Sequence, residues 1–163
     1  MGIELVAPEP DRWRARFFQH RAIVAVLLPG AVVSHIGSTA VPGLAAKDVV
    51  DILVEVTGEI EGAVHVLGDA GYDLEGLRAD HAWFSHPNRA ARGVVVHVMS
   101  RDSDRARDRL DFRDALRAHP RMRAEYLRVK RAAAVTTEDW GVYTAAKAET
   151  VARILADYRR LSW

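Results

Sequence analysis

The chain of 163 residues contains no cysteine. That excludes disulfides, a thiolate metal site and a thiol nucleophile. It has almost no net charge, since 23 Lys and Arg against 22 Asp and Glu leave +1. A protein held on nucleic acid by counterion release needs a clearer basic excess. No basic groove motif interleaved with aromatics appears either, so no nucleic-acid partner is expected. No apolar run approaches membrane-spanning length. The opening residues Met1 to Pro8 lack a basic segment followed by an apolar one. No membrane partner is expected, and a cytoplasmic location is the default. Repeats, low-complexity tracts and linkers are also missing. With 49% hydrophobic and 28% charged residues, the chain has an ordinary globular balance and enough length for one domain, 1–163, with a sizeable core.

The apolar patterning orders the elements. Residues 3–6 read as a short edge strand ended by Pro8 and Pro10. From Asp11 the pattern turns helical, with Trp13, Phe17, Val24 and Leu28 on one face, until Pro29-Gly30 stops it. Residues 31–36 read as a strand. Residues 49–56 are apolar apart from Asp51 and Glu55, which predicts a central strand buried on both faces. A helix follows over 59–71. Short strands at 72–74 and 82–85 flank a turn at 76–80, and 94–99 is the second strong buried strand. The remainder reads as three helices over about 103–161: 105–118, one from Pro120 to about 134, and 140–161 after a Thr137-Glu138-Asp139 cap. The order predicts one α+β domain, a mixed sheet flanked by helices with a helical C-terminal half.

The stretch from Ser34 to Val54 carries the candidate chemistry. Gly37 lets the backbone approach a ligand closely, and the Ser38 and Thr39 hydroxyls and amides can donate to phosphate oxygens. A bare turn between strands uses the same residues. Asp51 interrupts an apolar strand, where a carboxylate is costly to bury without a partner. A divalent cation or an ion pair with Lys47 or Arg92 satisfies it equally well. Strand alternation puts Asp51, Leu53 and Glu55 on one face. Two-metal phosphoryl-transfer sites need carboxylates two apart, and here that position is Leu53. Glu55 lies about 13 Å along the strand from Asp51, too far to share an ion. His97 interrupts the other valine strand. If the strands are neighbours, Asp51 and His97 form a cation site or an acid–base pair. A core histidine bonded to a carbonyl is the alternative. His35, His81 and His86 are further possible contributors, though they read more readily as surface or turn residues.

The C-terminal half is rich in arginine interleaved with acids, which reads as solvated helix faces with i,i+4 pairs. Lys130, Tyr143 and Lys147 differ, because each sits beside an apolar stripe and could reach inward.

Taken together, His35-Ile36-Gly37-Ser38-Thr39-Ala40-Val41-Pro42-Gly43-Leu44-Ala45-Ala46-Lys47 and Val50-Asp51-Ile52-Leu53-Val54 closely resemble the signature of the GrpB family. The resemblance continues in Phe112 to Pro120, Tyr126 to Lys130 and Tyr143 to Lys147, and includes Leu5-Val6 through Trp13 and Phe17. It implies a nucleotidyltransferase-like fold of the polymerase-β type. In that superfamily a Gly-Ser turn holds nucleotide phosphates, and acids on the next strand hold magnesium. Gly37 and Ser38 match the turn, and Asp51 matches the first acid. Leu53 stands where active nucleotidyltransferases carry the second. The family's strand Arg-Thr-His-His-Leu-His-Val corresponds to Arg92 through Val98, where Arg92 and His97 remain and Val94 and Val95 replace two histidines. The resemblance also implies a link to dephospho-CoA kinase, to which the family is fused in some bacteria.

The expectation is an enzyme that transfers a nucleotidyl group, AMP foremost, from a nucleoside triphosphate to a small-molecule acceptor. Asp51 and His97 are its expected catalytic and metal-binding residues, with Mg²⁺ or Mn²⁺ as the cation. Gly37, Ser38, Thr39, Lys47, Arg92, Lys130 and Lys147 are its expected phosphate site. The alternative is a non-catalytic nucleotide-binding domain acting beside a partner such as dephospho-CoA kinase.

Overall fold

The computed structural model describes residues 2–162. Helix α1, Pro10–Leu27, starts with proline in its first turn and buries Trp13, Phe17, His20 and Val24 at helical spacing. Strand β1, Val32–Ile36, leads through Gly37 into a short 3-10 turn, Ser38–Ala40, and a lead-in segment to β2, Val50–Val56. Helix α2, Glu61–Asp69, and the hairpin of β3, Asp73–Arg78, and β4, His81–His86, precede β5, Val94–Ser100. Helices α3, Asp104–Ala118, α4, Pro120–Thr136, α5, Trp140–Ala145, and α6, Ala148–Leu161, complete the α+β architecture.

The five strands form one mixed sheet in the order β1-β2-β5-β4-β3. Strands β2 and β5 are parallel and the other pairs antiparallel. Alternation sorts the two faces. On one face Val50, Ile52, Val54, Val94, Val96, Val98 and Phe84 pack against Trp13, Phe17 and Val24 of α1 and Ala63, Val64 and Leu67 of α2. Fully burying each such side chain contributes about 1.5–3 kcal/mol. On the other face Ile36, Leu53 and Met99 meet Ala106 and Leu110 of α3. A further cluster of Val41, Leu44, Leu116, Tyr126 and Ile154 joins the lead-in segment to the C-terminal helices.

Three local expectations change. Residues 3–6 form no strand, only an isolated Val6–Ala46 bridge, because Ile3 is drawn to the end of α4, where its N–H donates to the Ala134 carbonyl at 2.8 Å. The β3–β4 hairpin is longer than predicted and its turn shorter. Gly76 continues β3 because the Trp83 ring packs against it, and an added Cβ there would lie 2.0 Å from the indole. The segment 140–161 is two helices, so the C-terminal half has four helices rather than three. The break at Ala146-Lys147 follows no breaker residue and turns Lys147 onto the Tyr143 ring, 3.8 Å from its centroid. No helix among the described residues is long and apolar enough to cross a membrane.

Asp48, just before β2, ties α1 to the sheet. Its carboxylate accepts from Trp13 Nε1 at 3.0 Å and Arg16 Nη1 at 3.1 Å, and also pairs with Arg12. Burial pushes the Asp48 carboxyl up, but these donors outweigh it and hold it below the usual range. A depressed folded value means stability that is present above the unfolded carboxyl value of about 4 and is lost as pH falls through the folded value. Asp48→Asn is therefore expected to lower Tm at pH 7 by about 3 °C or more. Thermal melts should show the gap to the unmutated protein closing as pH is lowered below about 4.

Candidate active site at Asp51

The site opens from the turn after β1. Gly37 adopts φ +70, a left-handed conformation that favours glycine. It also lies against Asp51, so that an added Cβ would come 2.6 Å from Oδ2. Both demands are met only without a side chain. Ser38 follows, and its Oγ accepts from Lys130 Nζ at 2.8 Å. Lys130 also donates to the Ala45 carbonyl at 2.8 Å and is only 2% exposed. Tyr126 hydrogen-bonds Ser38 as well, and burial pushes its hydroxyl pKa up. Thr39 does not join this group. It is buried, and its hydroxyl meets His35 Nε2 at 2.8 Å, because the 3-10 turn rotates it toward the α1 side. The His35 ring is stacked on Phe17 there.

Asp51 lies near the start of β2, with 34% of its side-chain surface open. In the parallel register His97 sits opposite Leu53, so it shares the Asp51 face and leans back toward it. His97 Nε2 and Asp51 Oδ1 are 3.4 Å apart. His97 Nδ1 lies 3.0 Å from His81 Nε2, and His81 Nδ1 is buried without a partner. One protonation pattern satisfies both contacts: His81 Nε2–H donates to His97 Nδ1, and His97 Nε2–H donates to the Asp51 carboxylate. Burial, with the neighbouring His97 and arginines, lowers the His81 pKa to about 3. Burial also lowers that of His97, although Asp51 opposes the shift. Both rings are neutral near pH 7. Burial pushes the Asp51 carboxyl up, but the hydrogen bond from His97 and the charges of Lys47 and Arg109 outweigh it and keep it ionised.

Three lysines converge on this carboxylate from different elements. Lys47 comes from the lead-in to β2, Lys130 from α4 and Lys147 from the start of α6. Burial, then the other two lysines, pushes Lys130 down to about 7, with Asp51 opposing. Burial lowers Lys47 and Lys147 to about 8, again against the pull of Asp51. Lys47 Nζ sits 3.3 Å from the centroid of the Trp140 ring, and Lys147 lies over Tyr143. The Tyr143 hydroxyl is buried without a partner, and burial raises its pKa to about 12. Arg92 differs from its expected role beside Asp51. It pairs with Glu75 across the β3 irregularity and packs on Trp140 at 4.4 Å, so its charge is already committed.

Sequence reasoning names His81 only as a further possible contributor and misses Trp140 and Arg109. Strand alternation puts His81 on the same face as Trp83, the register partner of His97. Among the described residues no group of three or more His, Cys, Asp or Glu side chains could hold a metal ion. Asp51 Oδ2 remains as a single carboxylate oxygen facing the turn. A Mg²⁺ or Mn²⁺ bound here would take this oxygen as its protein ligand and would need the rest of its ligands from elsewhere.

The family model described as GrpB protein matches residues 2–157. The chain belongs to the GrpB family. A UPF0157 protein of Deinococcus radiodurans is 46% identical over 156 residues, covering 94% of this chain and 81% of that protein. A dephospho-CoA kinase of Mycolicibacterium paratuberculosis is 33% identical over 176 residues, covering 89% of this chain but 43% of the kinase. The crystal structure of GrpB from Enterococcus faecalis superposes with a TM-score of 0.83 at 25% identity, covering 98% of this chain and 99% of that one. A cytoplasmic RNA terminal U-transferase superposes with a TM-score of 0.52 at 19% identity over 75% of this chain and 40% of its own. The GrpB chain therefore has a nucleotidyltransferase-like fold.

Histidines held neutral by burial bind fewer protons folded than unfolded below about pH 6.5. Stability should therefore fall as pH is lowered from 6.5 toward 4, and His81→Phe should lose part of that slope in urea unfolding. Nitrogen-15 shifts should show His97 and His81 as neutral Nε2–H tautomers at pH 6.

Proposed function

We propose that the site at Asp51 binds a nucleoside triphosphate and transfers its nucleotidyl group, AMP foremost, to a small-molecule acceptor. One observation carries this reading. Lys47, Lys130 and Lys147 are gathered around the single carboxylate of Asp51, each with its ammonium made less basic by burial. Desolvated cations in such excess are stabilised by an anion of several charges, and a triphosphate beside the Gly37-Ser38 turn supplies it. The GrpB chain's nucleotidyltransferase-like fold supports the choice of reaction.

In this reading Ser38 and the turn amides hold phosphate oxygens, and the three lysines offset the triphosphate charge. The acceptor oxygen forms a bond to the α-phosphorus, the bond from that phosphorus to the bridging oxygen breaks, and pyrophosphate leaves. The acceptor proton passes to the ionised Asp51 carboxylate. His97 acts as a positioning residue, since its Nε2–H orients that carboxylate and keeps it charged. Asp51 would hold a Mg²⁺ or Mn²⁺, which would supply further charge neutralisation. Such chemistry is mostly positioning and electrostatic stabilisation, which suits a site poor in acids and rich in cations. A nucleoside triphosphate substrate fits a cytoplasmic location for this reading.

A second reading is favoured by Leu53, fully buried where a second acid would stand, and by the similarity to a dephospho-CoA kinase. In it the domain binds nucleotide without turnover, beside a partner enzyme of that kind.

Calorimetric titration with ATP and Mg²⁺ or Mn²⁺ separates the two. The transferase reading expects metal-dependent binding by the unmutated protein and weaker, metal-independent binding by Asp51→Asn. It also expects at least about a 100-fold loss of pyrophosphate release in that variant. Equal, metal-independent binding by both forms supports the partner-domain reading. No binding by the unmutated protein removes both.

A further inference from the structure

Helix α3 carries arginines at every fourth position, Arg105, Arg109, Arg113 and Arg117, and such spacing aligns them along one face. Three of the four are engaged. Arg105 Nε donates to Asp80 at 2.9 Å. Arg113 donates to Asp114 at 2.8 Å and to the His35 carbonyl at 3.2 Å. Arg117 Nε donates to the Ala40 carbonyl at 2.8 Å. Arg109 has no hydrogen-bond or ion-pair partner among the described residues, and its Nε is buried and unsatisfied.

Its place makes this informative. The neighbouring Ala106 and Leu110 of α3 pack on Leu53, the apolar residue opposite His97 in the register. This lays α3 over the Asp51–His97–His81 row. Arg109 acts electrostatically on all three of these residues. Burial lowers its own pKa, and Asp51 is the main charge opposing that. Asp51 is therefore approached from two elements: α4 brings Lys130 to the Ser38 turn, and α3 carries Arg109 over the Leu53–His97 end of the row. A half-buried guanidinium whose Nε–H is buried and orphaned is costly, and its planar fork matches a carboxylate or phosphate.

We infer that Arg109 is a second anion site, apart from that of the triphosphate, and that the acceptor is itself an acid whose carboxylate or phosphate it binds. This rests on the nucleotidyl-transfer reading and adds the chemical class of the second substrate. A neutral alcohol or sugar would leave Arg109 unpaired in the complex.

The test uses a non-hydrolysable ATP analogue for the first site and inorganic phosphate and acetate for the second, each titrated alone and together. Phosphate or acetate should bind the analogue-saturated protein. Arg109→Gln should weaken that binding about tenfold or more, while changing analogue affinity less than twofold. Arg109→Lys should recover only part of it, because a point charge lacks the fork. Thermal melts separate a structural role: removing an unpaired, half-buried charge should leave Tm level or raised in Arg109→Met. Anion binding abolished by the analogue, or an equal effect of Arg109→Gln on both ligands, overturns the proposal and assigns Arg109 to the triphosphate. A Tm loss in Arg109→Met with unchanged anion binding also overturns it. If the analogue itself fails to bind, the nucleotidyl-transfer reading fails, and the acceptor assignment with it.

Discussion

Everything around the site is arranged by one electrostatic imbalance: a single ionised carboxylate, Asp51, among cations it cannot neutralise. The sheet forces the imbalance. Asp51 emerges at the start of β2, where the strand face is still open, and two residues on the same face is already closed by Leu53 under α3. No second acid is admitted there without unpacking that contact. Lys47, Lys130 and Lys147 therefore share one counter-charge, and Asp51 is held ionised by their field and by His97. Removing a charge from such a set changes the proton affinity of every other member, so single substitutions here are not independent.

The sequence shows some of this and hides the rest for definite reasons. Asp51 and His97 stand out because each interrupts a run of valines, and a polar residue in a two-face buried strand needs a partner. Gly37 and Ser38 stand out through the motif they share with the GrpB family. Thr39 was grouped with them because hydroxyls beside glycine look alike in a sequence. Its direction is set by the 3-10 turn, which no composition reveals. His81 reads more readily as a turn residue because the strand signal of 82–85 begins one residue after it, which leaves its side chain unassigned to a sheet face. Arg109 was hidden among many arginines, and only the partners of its neighbours make it distinct. The break before Lys147 lies in a run of good helix formers, so local propensity continues the helix that packing interrupts.

The polar contacts of the site differ in what each holds. The Ser38–Lys130–Ala45 bonds fix the turn against α4, and Lys130 is too buried to serve as a mobile charge. Lys47 and Lys147, lying on the Trp140 and Tyr143 rings, are held by aromatic faces rather than carboxylates. They keep charge at the site without being paired away. Arg92, by contrast, is consumed by Glu75. The distinction between held and consumed cations is what turns a basic surface into a site.

One consequence concerns the distant helix α1. Parallel strands have no tight turn to set their alignment, and β2 and β5 are separated by α2 and a hairpin. Arg16 spans their two entries, since its Nη1 reaches Asp48 before β2 and the Gly93 carbonyl before β5, at 3.1 and 3.2 Å. It acts as a gauge that measures one strand against the other from the far side of the sheet. A slip of one residue would present Val96 or Val98 to Asp51 and turn the imidazole into the opposite core. The alignment of the acid with its histidine is thus written partly in a guanidinium that never enters the site.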